Sequence, residues 1–196
     1  MTLVGLIRHG RTDWNEAGRI QGRTDRPLSP RGRTEISARC LPPELAAAVW
    51  FVSPLLRTRE TAGLLGIAGF RADCRLIEMS FGRWEGHTLE ELRAADPEGM
   101  AANEGRGLDF RAPDGESPRE VCTRLLGWLE NCATQGAVAA ITHNGVIRAA
   151  FSLALGWDMK DRPPVIPDWT CAHLFRFEGE TLYPVRLNLP LPQRAD

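Results

Sequence analysis

The sequence predicts an α/β protein in which helices cover both faces of a mostly parallel sheet. Three short apolar runs have the composition of buried strands, and each is followed by polar residues. Segments with helix-capping residues lie between and after these runs, so strands and helices alternate along the chain. This alternation indicates a three-layer α/β/α sandwich, and two late strand-like segments add an antiparallel edge.

The strand predictions rest on short runs of aliphatic and β-branched side chains. The three apolar runs cover residues 3–7, 48–52 and 137–142. A further strand is predicted over residues 72–77, and residues 173–177 and 181–187 flank a turn-forming Glu-Gly-Glu segment. That last pair is typical of a closing hairpin.

Four predicted helices begin at residues that can offer a side-chain oxygen to the free N–H groups of a first turn. Their starts are Ser29-Pro30, Ser53-Pro54, Thr88-x-x-Glu91 and Ser117-x-x-Glu120. The first two place proline in the first turn, and the last two have the spacing of a capping box. The first, second and fourth of these helices are predicted to run toward residues 40, 66 and 133, the third is predicted to be short, and a fifth covers residues 146–155.

We predict a single domain over residues 1–196, because no linker or change of composition divides the chain. Residues 86–117 are polar and interrupted by glycine and proline, with Asp96-Pro97 and residues 103–107 typical of loops. This segment is predicted to be a lid-like insertion. The tail, residues 189–196, is predicted to be frayed.

Composition favours a soluble protein without a membrane or nucleic-acid partner. Hydrophobic residues make up 43% of the chain and charged residues 25%, and no apolar run approaches the roughly 20 residues of a membrane helix. The amino terminus lacks the pattern of a leader, and the five cysteines are widely spaced without a CxxC pair. We therefore expect reduced thiols and a cytoplasmic location.

Positive charge is concentrated near the amino terminus although the net charge is −1. The arginines of the first 39 residues are Arg8, Arg11, Arg19, Arg23, Arg26, Arg31, Arg33 and Arg39. Guanidinium groups bind phosphate and carboxylate oxygens in a bidentate manner. The segment lacks the interleaved aromatic residues of a nucleic-acid surface, so a small anionic ligand is favoured.

Histidine and arginine side chains, which can bind anions or take part in catalysis, follow the predicted strands. His9 follows the first, Arg57 comes one helical turn after the second, and His143 follows the strand over residues 137–142. Ligands of such sheets bind beyond the carboxyl ends of the strands, so these residues should converge. A neutral imidazole at His9 could attack phosphorus, with Arg8 and Arg57 holding the phosphoryl oxygens.

A leaving alkoxide needs a proton, and Glu78 is the best candidate for the acid. It lies in an apolar setting that should raise the pKa of its carboxyl group. His143, at the start of the last predicted helix, would supply a second clamp on the anion. Taken singly, a histidine at the end of a strand is usually a solvated or hydrogen-bonded structural residue, and it is the combination of these residues that favours catalysis.

Residues 6–15 resemble the RHGxTxxN signature of the histidine phosphatase superfamily, also called the phosphoglycerate mutase-like family. Further blocks in the same order as in the family are residues 25–32, 53–62, 78–86 with Phe-Gly-x-Trp-Glu-Gly, and 115–117. The resemblance implies a phosphoglycerate mutase-like fold and a phosphohistidine at His9. It also implies no metal or organic cofactor, and the chain contains no HExxH, GxxxxGK[ST] or GxGxxG motif.

The resemblance also assigns the remaining site residues. Arg8, Arg57 and His143 would form the phosphate pocket, and Glu78 or a neighbour would donate the proton. The pocket would further be lined by Asn15, Gln21, Gly22 and Asn144. The expected partner is a small phosphorylated metabolite, while the oligomeric state stays open.

Three functions are compatible with these residues. The favoured one is a phosphomonoester hydrolase, and the alternative is a phosphoglycerate mutase, which needs additional cations for a second phosphate and a carboxylate. Residues 86–117 offer chiefly Arg93, Arg106 and Arg111 for that purpose, so hydrolysis is preferred. A non-catalytic phospho-ligand binder is least favoured. The substrate stays open among α-ribazole phosphate, sugar phosphates, phosphoglycerate and a broad range of esters.

Overall fold

Six strands form one central sheet in the computed structural model, which describes residues 1–194. The strands are β1 (Thr2–Arg8), β2 (Val49–Val52), β3 (Arg71–Ala72), β4 (Ala137–Thr142), β5 (Cys171–Glu178) and β6 (Thr181–Pro190). Their spatial order is β3-β2-β4-β1-β5-β6. The first four in this order pair in parallel, whereas β5 is antiparallel to both β1 and β6. The predicted mostly parallel sheet with an antiparallel edge is confirmed.

Helices pack on both faces of this sheet and complete the three predicted layers. They are α1 (Asp13–Glu16), α2 (Pro30–Ser37), α3 (Leu56–Leu64), α4 (Leu89–Ala95), α5 (Pro97–Glu104), α6 (Pro118–Cys132) and α7 (Asn144–Leu155). α2 and α3 cover one face, and α6 and α7 pack together on the other. None of the helices in residues 1–194 combines the length and hydropathy needed to cross a bilayer.

The central strands supply both halves of the core because strand side chains alternate between the two faces of a sheet. In β4, Val138 and Ala140 face the layer of α6 and α7, while Ala139 and Ile141 face the layer of α3. All four side chains are buried. Burial on both faces explains why this strand is a continuous apolar run in the sequence.

Three of the predicted helix starts are confirmed. Ser29, Thr88 and Ser117 cap α2, α4 and α6, and each side-chain oxygen accepts a hydrogen bond from a backbone N–H of the first turn. Glu91 and Glu120 complete the two capping boxes. Capping uses contacts within four residues, which is why the sequence alone locates it.

The prediction that Ser53 caps the next helix is wrong. α3 has Leu55 at its N-cap position, without a side-chain hydrogen bond there. Ser53 instead continues the parallel ladder beyond β2, since its backbone N–H donates to Ile141 O at 3.1 Å. Its hydroxyl is thereby left for a contact with His143, described below.

Two further segments differ from their predicted structure. Asp96-Pro97 begins α5 and is not a loop, because the Asp96 carboxylate accepts from Gly99 N and proline fits the first turn. The strand predicted over residues 72–77 ends at Ala72, because the Asp73 carboxylate accepts from Arg75 N and starts a 3-10 turn over Cys74–Leu76. The role of residues 86–117 as a lid stays a prediction.

The carboxyl-terminal tail packs against the core, although the sequence predicted that it would be frayed. Leu189 and Leu191 are buried against the core half that includes Leu45. Backbone hydrogen bonds join Cys40 N to Pro192 O and Arg194 N to Ala38 O, both at 2.8 Å. The fraying prediction is therefore wrong for residues 189–194, and residues 195–196 lie outside the described part of the chain.

Leu191→Ala is expected to lower the free energy of unfolding by about 2 to 4 kcal/mol, because it empties a buried leucine site. Urea unfolding measures this change. Val185→Ala in β6 is the control, because Val185 is 55% exposed, and it should cost less than about 1 kcal/mol. Equally small losses in both variants would contradict docking of the tail.

Candidate active site

The carboxyl ends of the parallel strands bring three predicted site residues together. His9 directly follows β1, His143 directly follows β4, and Arg57 lies in the first turn of α3, after β2. The backbone N–H of His9 donates to Thr142 O at 3.0 Å, which ties the two strand ends together. The ring centroids of His9 and His143 are 5.1 Å apart. The convergence expected from strand order is thus present in the structure.

The hydrogen bonds of His9 define which ring nitrogen carries its proton. Nδ1 lies 2.6 Å from Gly10 O, and a carbonyl oxygen can only accept, so Nδ1 is the protonated nitrogen. Arg57 Nε donates to His9 Nε2 at 3.2 Å. Burial, Arg8 and Arg57 lower the pKa of His9 well below its usual value. The imidazole is therefore neutral, with the lone pair of Nε2 directed toward Arg57.

Arg57 is a fully buried cation that the adjoining loop holds by its backbone carbonyls. Nη2 donates to Gly22 O at 2.8 Å and Nη1 donates to Thr24 O at 3.1 Å. Together with the contact to His9, these bonds fix the plane of the guanidinium. Burial lowers the pKa of Arg57 to about 10, with Glu78 acting in the opposite direction. The side chain therefore stays charged at neutral pH.

Glu85 holds this loop in place, and sequence analysis did not single it out. Its carboxylate accepts from Arg23 N at 2.9 Å, from Thr24 N at 2.8 Å and from Thr24 Oγ1 at 2.6 Å. Gly22 has a φ of +52°, and a Cβ there would overlap the Glu85 carboxylate. Glu85 thus positions Arg57 through the loop. The available signal was its place in the Phe-Gly-x-Trp-Glu-Gly block.

Glu78 is a buried carboxyl group held by two backbone donors. Its Oε1 accepts from Met79 N at 2.8 Å and from Gly145 N at 3.0 Å. Burial raises the pKa of Glu78, and this outweighs the lowering by the N–H of Met79 and by Arg57. A Cβ on Gly145 would press against Glu78 Oε1, so glycine is needed at the start of α7.

His143 is fully buried and is oriented by Ser53. Its Nε2 lies 2.7 Å from Ser53 Oγ, which also accepts a hydrogen bond from Leu55 N. Burial and the charge of Arg57 lower the pKa of His143 well below its usual value. Ser53 is thus a site residue that sequence analysis mistook for a helix cap. The available signals were its position at the end of a strand and its place at the start of the family-like block over residues 53–62.

Four site residues have polar atoms that are sealed from solvent and lack a hydrogen-bond partner within residues 1–194. They are Arg8 Nε, Gln21 Nε2, His143 Nδ1 and Asn144 Oδ1. A buried polar atom left without a partner costs about 1 to 3 kcal/mol. Three of these atoms belong to groups that donate hydrogen bonds, so their grouping indicates a binding site for an oxygen-rich ligand.

A linked pair of amide side chains lies beside the anion site. The Asn15 amide donates to Gln21 Oε1 at 3.4 Å, and Thr12 Oγ1 donates to the same oxygen at 2.8 Å. These bonds orient the Gln21 amide and leave its nitrogen unpartnered.

Arg8 is oriented by an aromatic ring, since its guanidinium lies 5.5 Å from the ring centroid of Trp169.

A cavity of about 540 Å³ opens onto these groups. All the predicted site residues except His143 line it: Arg8, His9, Asn15, Gln21, Gly22, Arg57, Glu78 and Asn144. Its wall also contains Phe110 and Glu104 from the segment predicted to be a lid. Within residues 1–194 no three His, Cys, Asp or Glu side chains are grouped as metal ligands would be. A second cavity of about 700 Å³ reaches His9 past Trp169.

Comparisons with known proteins find similarity over most of the chain. A family model described as histidine phosphatase superfamily (branch 1) matches residues 4–190. The chain is 34% identical to phosphoserine phosphatase 1 of Hydrogenobacter thermophilus over 172 residues, which cover 81% of the chain and 79% of the relative. It is 32% identical over 152 residues to a probable phosphoglycerate mutase GpmB of Escherichia coli, covering 74% and 71% of the two chains.

A similar solved structure is that of YhfR from Bacillus stearothermophilus. It superposes with a TM-score of 0.81 at 26% identity, and the match covers 98% of both chains. The two proteins therefore share their fold over nearly the whole length of both chains.

Glu85→Gln is expected to weaken binding of inorganic phosphate by about tenfold or more, because the amide cannot accept all the hydrogen bonds from Arg23 and Thr24 that orient Arg57. Isothermal titration calorimetry measures the affinity. Glu130→Gln is the matched control at an exposed position of α6 and should bind phosphate like the unmodified protein. Unchanged affinity in Glu85→Gln would contradict the positioning role.

Proposed function

The chain belongs to the histidine phosphatase superfamily, and we propose that it hydrolyses phosphomonoesters through a covalent phosphohistidine on His9. The observation that carries this proposal is the orientation of His9. Its Nδ1 proton is held by Gly10 O, so that Nε2 faces the buried charge of Arg57. Relatives of the chain include a phosphatase and a mutase-like protein, which agrees with phosphoryl transfer.

In the first step, the lone pair of His9 Nε2 attacks phosphorus and the bond from phosphorus to the ester oxygen breaks. Arg57 Nε, which donates to His9 Nε2 in the structure, then donates to a phosphoryl oxygen instead. Arg8 and the side-chain nitrogen of Gln21 supply further donors from their unpartnered buried atoms. Donors held in place before the reaction stabilise the developing charge without reorganisation.

His143 contributes to the same anion pocket through Nδ1. A hydrogen bond from the hydroxyl of Ser53 to Nε2 places the imidazole proton on Nδ1, which is then a donor to a phosphoryl oxygen. The Ser53 hydroxyl is suited to donate because its oxygen already accepts from Leu55 N. Ser53 thereby selects the tautomer of His143.

Glu78 supplies and then recovers the proton. Its raised pKa extends the protonated form of the carboxyl group to higher pH, and in that form Glu78 can protonate the departing alkoxide. The resulting carboxylate then takes a proton from water, which attacks phosphorus, breaks the bond to Nε2 and releases inorganic phosphate. His9 and protonated Glu78 are regenerated, so that one ester and one water yield one alcohol and one phosphate.

The similarity to a probable phosphoglycerate mutase keeps phosphoryl transfer within a sugar acid as the second candidate. A mutase must retain its phosphohistidine while the product reorients, which requires exclusion of water. The cavity here has room beyond the anion site and includes exposed side chains at its rim, which favours access of water. Hydrolysis is therefore the preferred reaction.

The proposed function is tested by release of phosphate from a panel of phosphomonoesters in the presence of EDTA. We expect hydrolysis of p-nitrophenyl phosphate by the unmodified protein, and a loss of about 10³-fold or more in His9→Ala, because the nucleophile is removed. Denatured protein should carry an acid-labile phosphoryl group only when His9 is present.

Two results would contradict hydrolysis through His9. One is full activity in His9→Ala. The other is isomerisation of 3-phosphoglycerate, with catalytic 2,3-bisphosphoglycerate, that is faster than phosphate release from every ester in the panel.

The pH profile follows from opposite shifts of two pKa values. His9 must be neutral, and its lowered pKa keeps it so into acidic solution. Glu78 must be protonated, and its raised pKa extends that form upward in pH. We therefore expect a bell-shaped profile of kcat with a mildly acidic optimum, in which activity falls as the pH rises through the pKa of Glu78.

Glu78→Gln tests which group produces the alkaline limb. The variant should lose about 10²-fold or more in kcat for an alkyl phosphate, whose leaving group needs a proton. It should lose much less for p-nitrophenyl phosphate, whose leaving phenolate is stable without one. Equal losses for both esters, with an unchanged alkaline limb, would exclude Glu78 as the proton donor.

A further inference from the structure

The guanidinium of Arg8 is oriented in a different way from that of Arg57. Arg57 donates to two backbone carbonyls and to His9. Within residues 1–194, the guanidinium of Arg8 makes no hydrogen bond or ion pair, and its Nε is sealed from solvent. It lies instead against the ring of Trp169, and such a contact attracts a cation to the face of the ring. The orientation of Arg8 therefore depends on where the chain places Trp169.

Arg8 lines both of the cavities that reach His9, so its guanidinium can point in either of two directions. In the first cavity it faces the proposed phosphoryl site. The lining of the second cavity includes Glu35 and Asp168, whose carboxylates would attract a guanidinium that turned away from that site. An arginine side chain has several rotatable bonds, so a contact must select one orientation. The ring of Trp169 provides that contact.

One side chain of β6 holds residues 166–170, the segment before β5 that contains Trp169. The side-chain oxygen of Asn188 accepts from Asp168 N at 2.7 Å, and the side-chain nitrogen of Asn188 donates to Ile166 O at 3.0 Å. The two bonds engage the backbone of this Trp169 segment at two points. The position of the Trp169 ring is therefore tied to the outer strand of the sheet.

Asn188 lies at a bulge in this strand. Between the pairs Ala172–Leu189 and Leu174–Arg186, two residues of β6 lie opposite one residue of β5. A bulge of this kind changes the direction of a side chain. Asn188 has a φ of +57°, a left-handed conformation that asparagine adopts more readily than most residues. The bulge therefore allows its side chain to reach the Trp169 segment.

We propose that Trp169 and Asn188 are positioning residues of the phosphate pocket. Asn188 fixes the Trp169 segment, and the ring of Trp169 keeps the guanidinium of Arg8 at the phosphoryl site. Neither residue lines the cavity that contains this site, so each acts through Arg8. The assignment rests on the proposed function, in which Arg8 binds the transferred phosphoryl group. It makes the antiparallel edge of the sheet a support of the reaction.

Trp169→Leu is expected to lower kcat/KM for p-nitrophenyl phosphate, and the affinity for inorganic phosphate, by about tenfold, because leucine has no aromatic face for the cation. Trp169→Phe keeps such a face and should stay within about threefold of the unmodified protein. Tyr183→Leu is the matched control, since it removes a similar contact with Arg176, at 5.1 Å, on the same sheet edge and outside both cavities. It should change neither quantity. Steady-state kinetics and isothermal titration calorimetry measure them.

Asn188→Gly tests the hydrogen bonds to the Trp169 segment. The variant removes both bonds, while glycine adopts the left-handed backbone without strain. We expect a loss of about three- to tenfold in the same two quantities. Glu180→Gly is the matched control, because Glu180 is exposed and has a φ of +67° in the turn between β5 and β6. It should leave both quantities unchanged.

A double-mutant cycle separates positioning of Arg8 from a general structural effect. In an Arg8→Met background, Trp169→Leu and Asn188→Gly should each change kcat/KM by less than about twofold, because the group that they position is absent. Losses in that background as large as those in the unmodified protein would overturn the positioning role. Variants of Trp169 and Asn188 that behave like their controls would overturn it as well.

Failure of the positioning role and failure of the proposed function give different results. If p-nitrophenyl phosphate is hydrolysed and the variants match their controls, the positioning role fails while the proposed function stands. If no ester is hydrolysed, the proposed function fails, and the affinity for inorganic phosphate decides the positioning role. Weaker binding in Trp169→Leu than in Tyr183→Leu then supports that role, and equal binding overturns it.

Discussion

The buried guanidinium of Arg57 is the interaction on which the rest of the site depends. A charge removed from water is costly unless polar groups surround it, and here two backbone carbonyls and one imidazole nitrogen do so. Those carbonyls belong to a loop that must itself be held, and Glu85 holds it through three hydrogen bonds to Arg23 and Thr24. The loop that contains Gly22, together with Glu85, therefore holds the guanidinium of Arg57 in place.

Burial shifts the pKa values of the proposed nucleophile and of the proposed acid in opposite directions, and the physical cause is the same for both. A low-dielectric setting disfavours the charged form of any group, so it lowers the pKa of an imidazole and raises the pKa of a carboxyl group. His9 and Glu78 both lie in such a setting and shift accordingly. The nearby guanidiniums strengthen the first shift and moderate the second. Burial thus shifts the pKa values of both groups toward the protonation states that the proposed reaction needs.

Much of the fold could be predicted because its signals are local in the sequence. The doubly buried strand β4 is a continuous apolar run, and the capping oxygens of Ser29, Thr88 and Ser117 act within four residues. The predictions failed at residues that make a different contact in the folded protein from the one that their local sequence favours. Ser53 stayed in the sheet ladder, and Asp96 capped a helix in a segment whose composition is typical of a loop.

The sequence by itself determined the order of strands and helices, and hence that His9, Arg57 and His143 would meet at one edge of a parallel sheet. Only the tertiary structure decided how these residues are held and what surrounds them. The contact of Ser53 with His143 spans 90 residues, and that of Glu85 with Thr24 spans 61. Periodicity and capping report neighbours within a few residues, whereas these contacts exist only once the layers have packed.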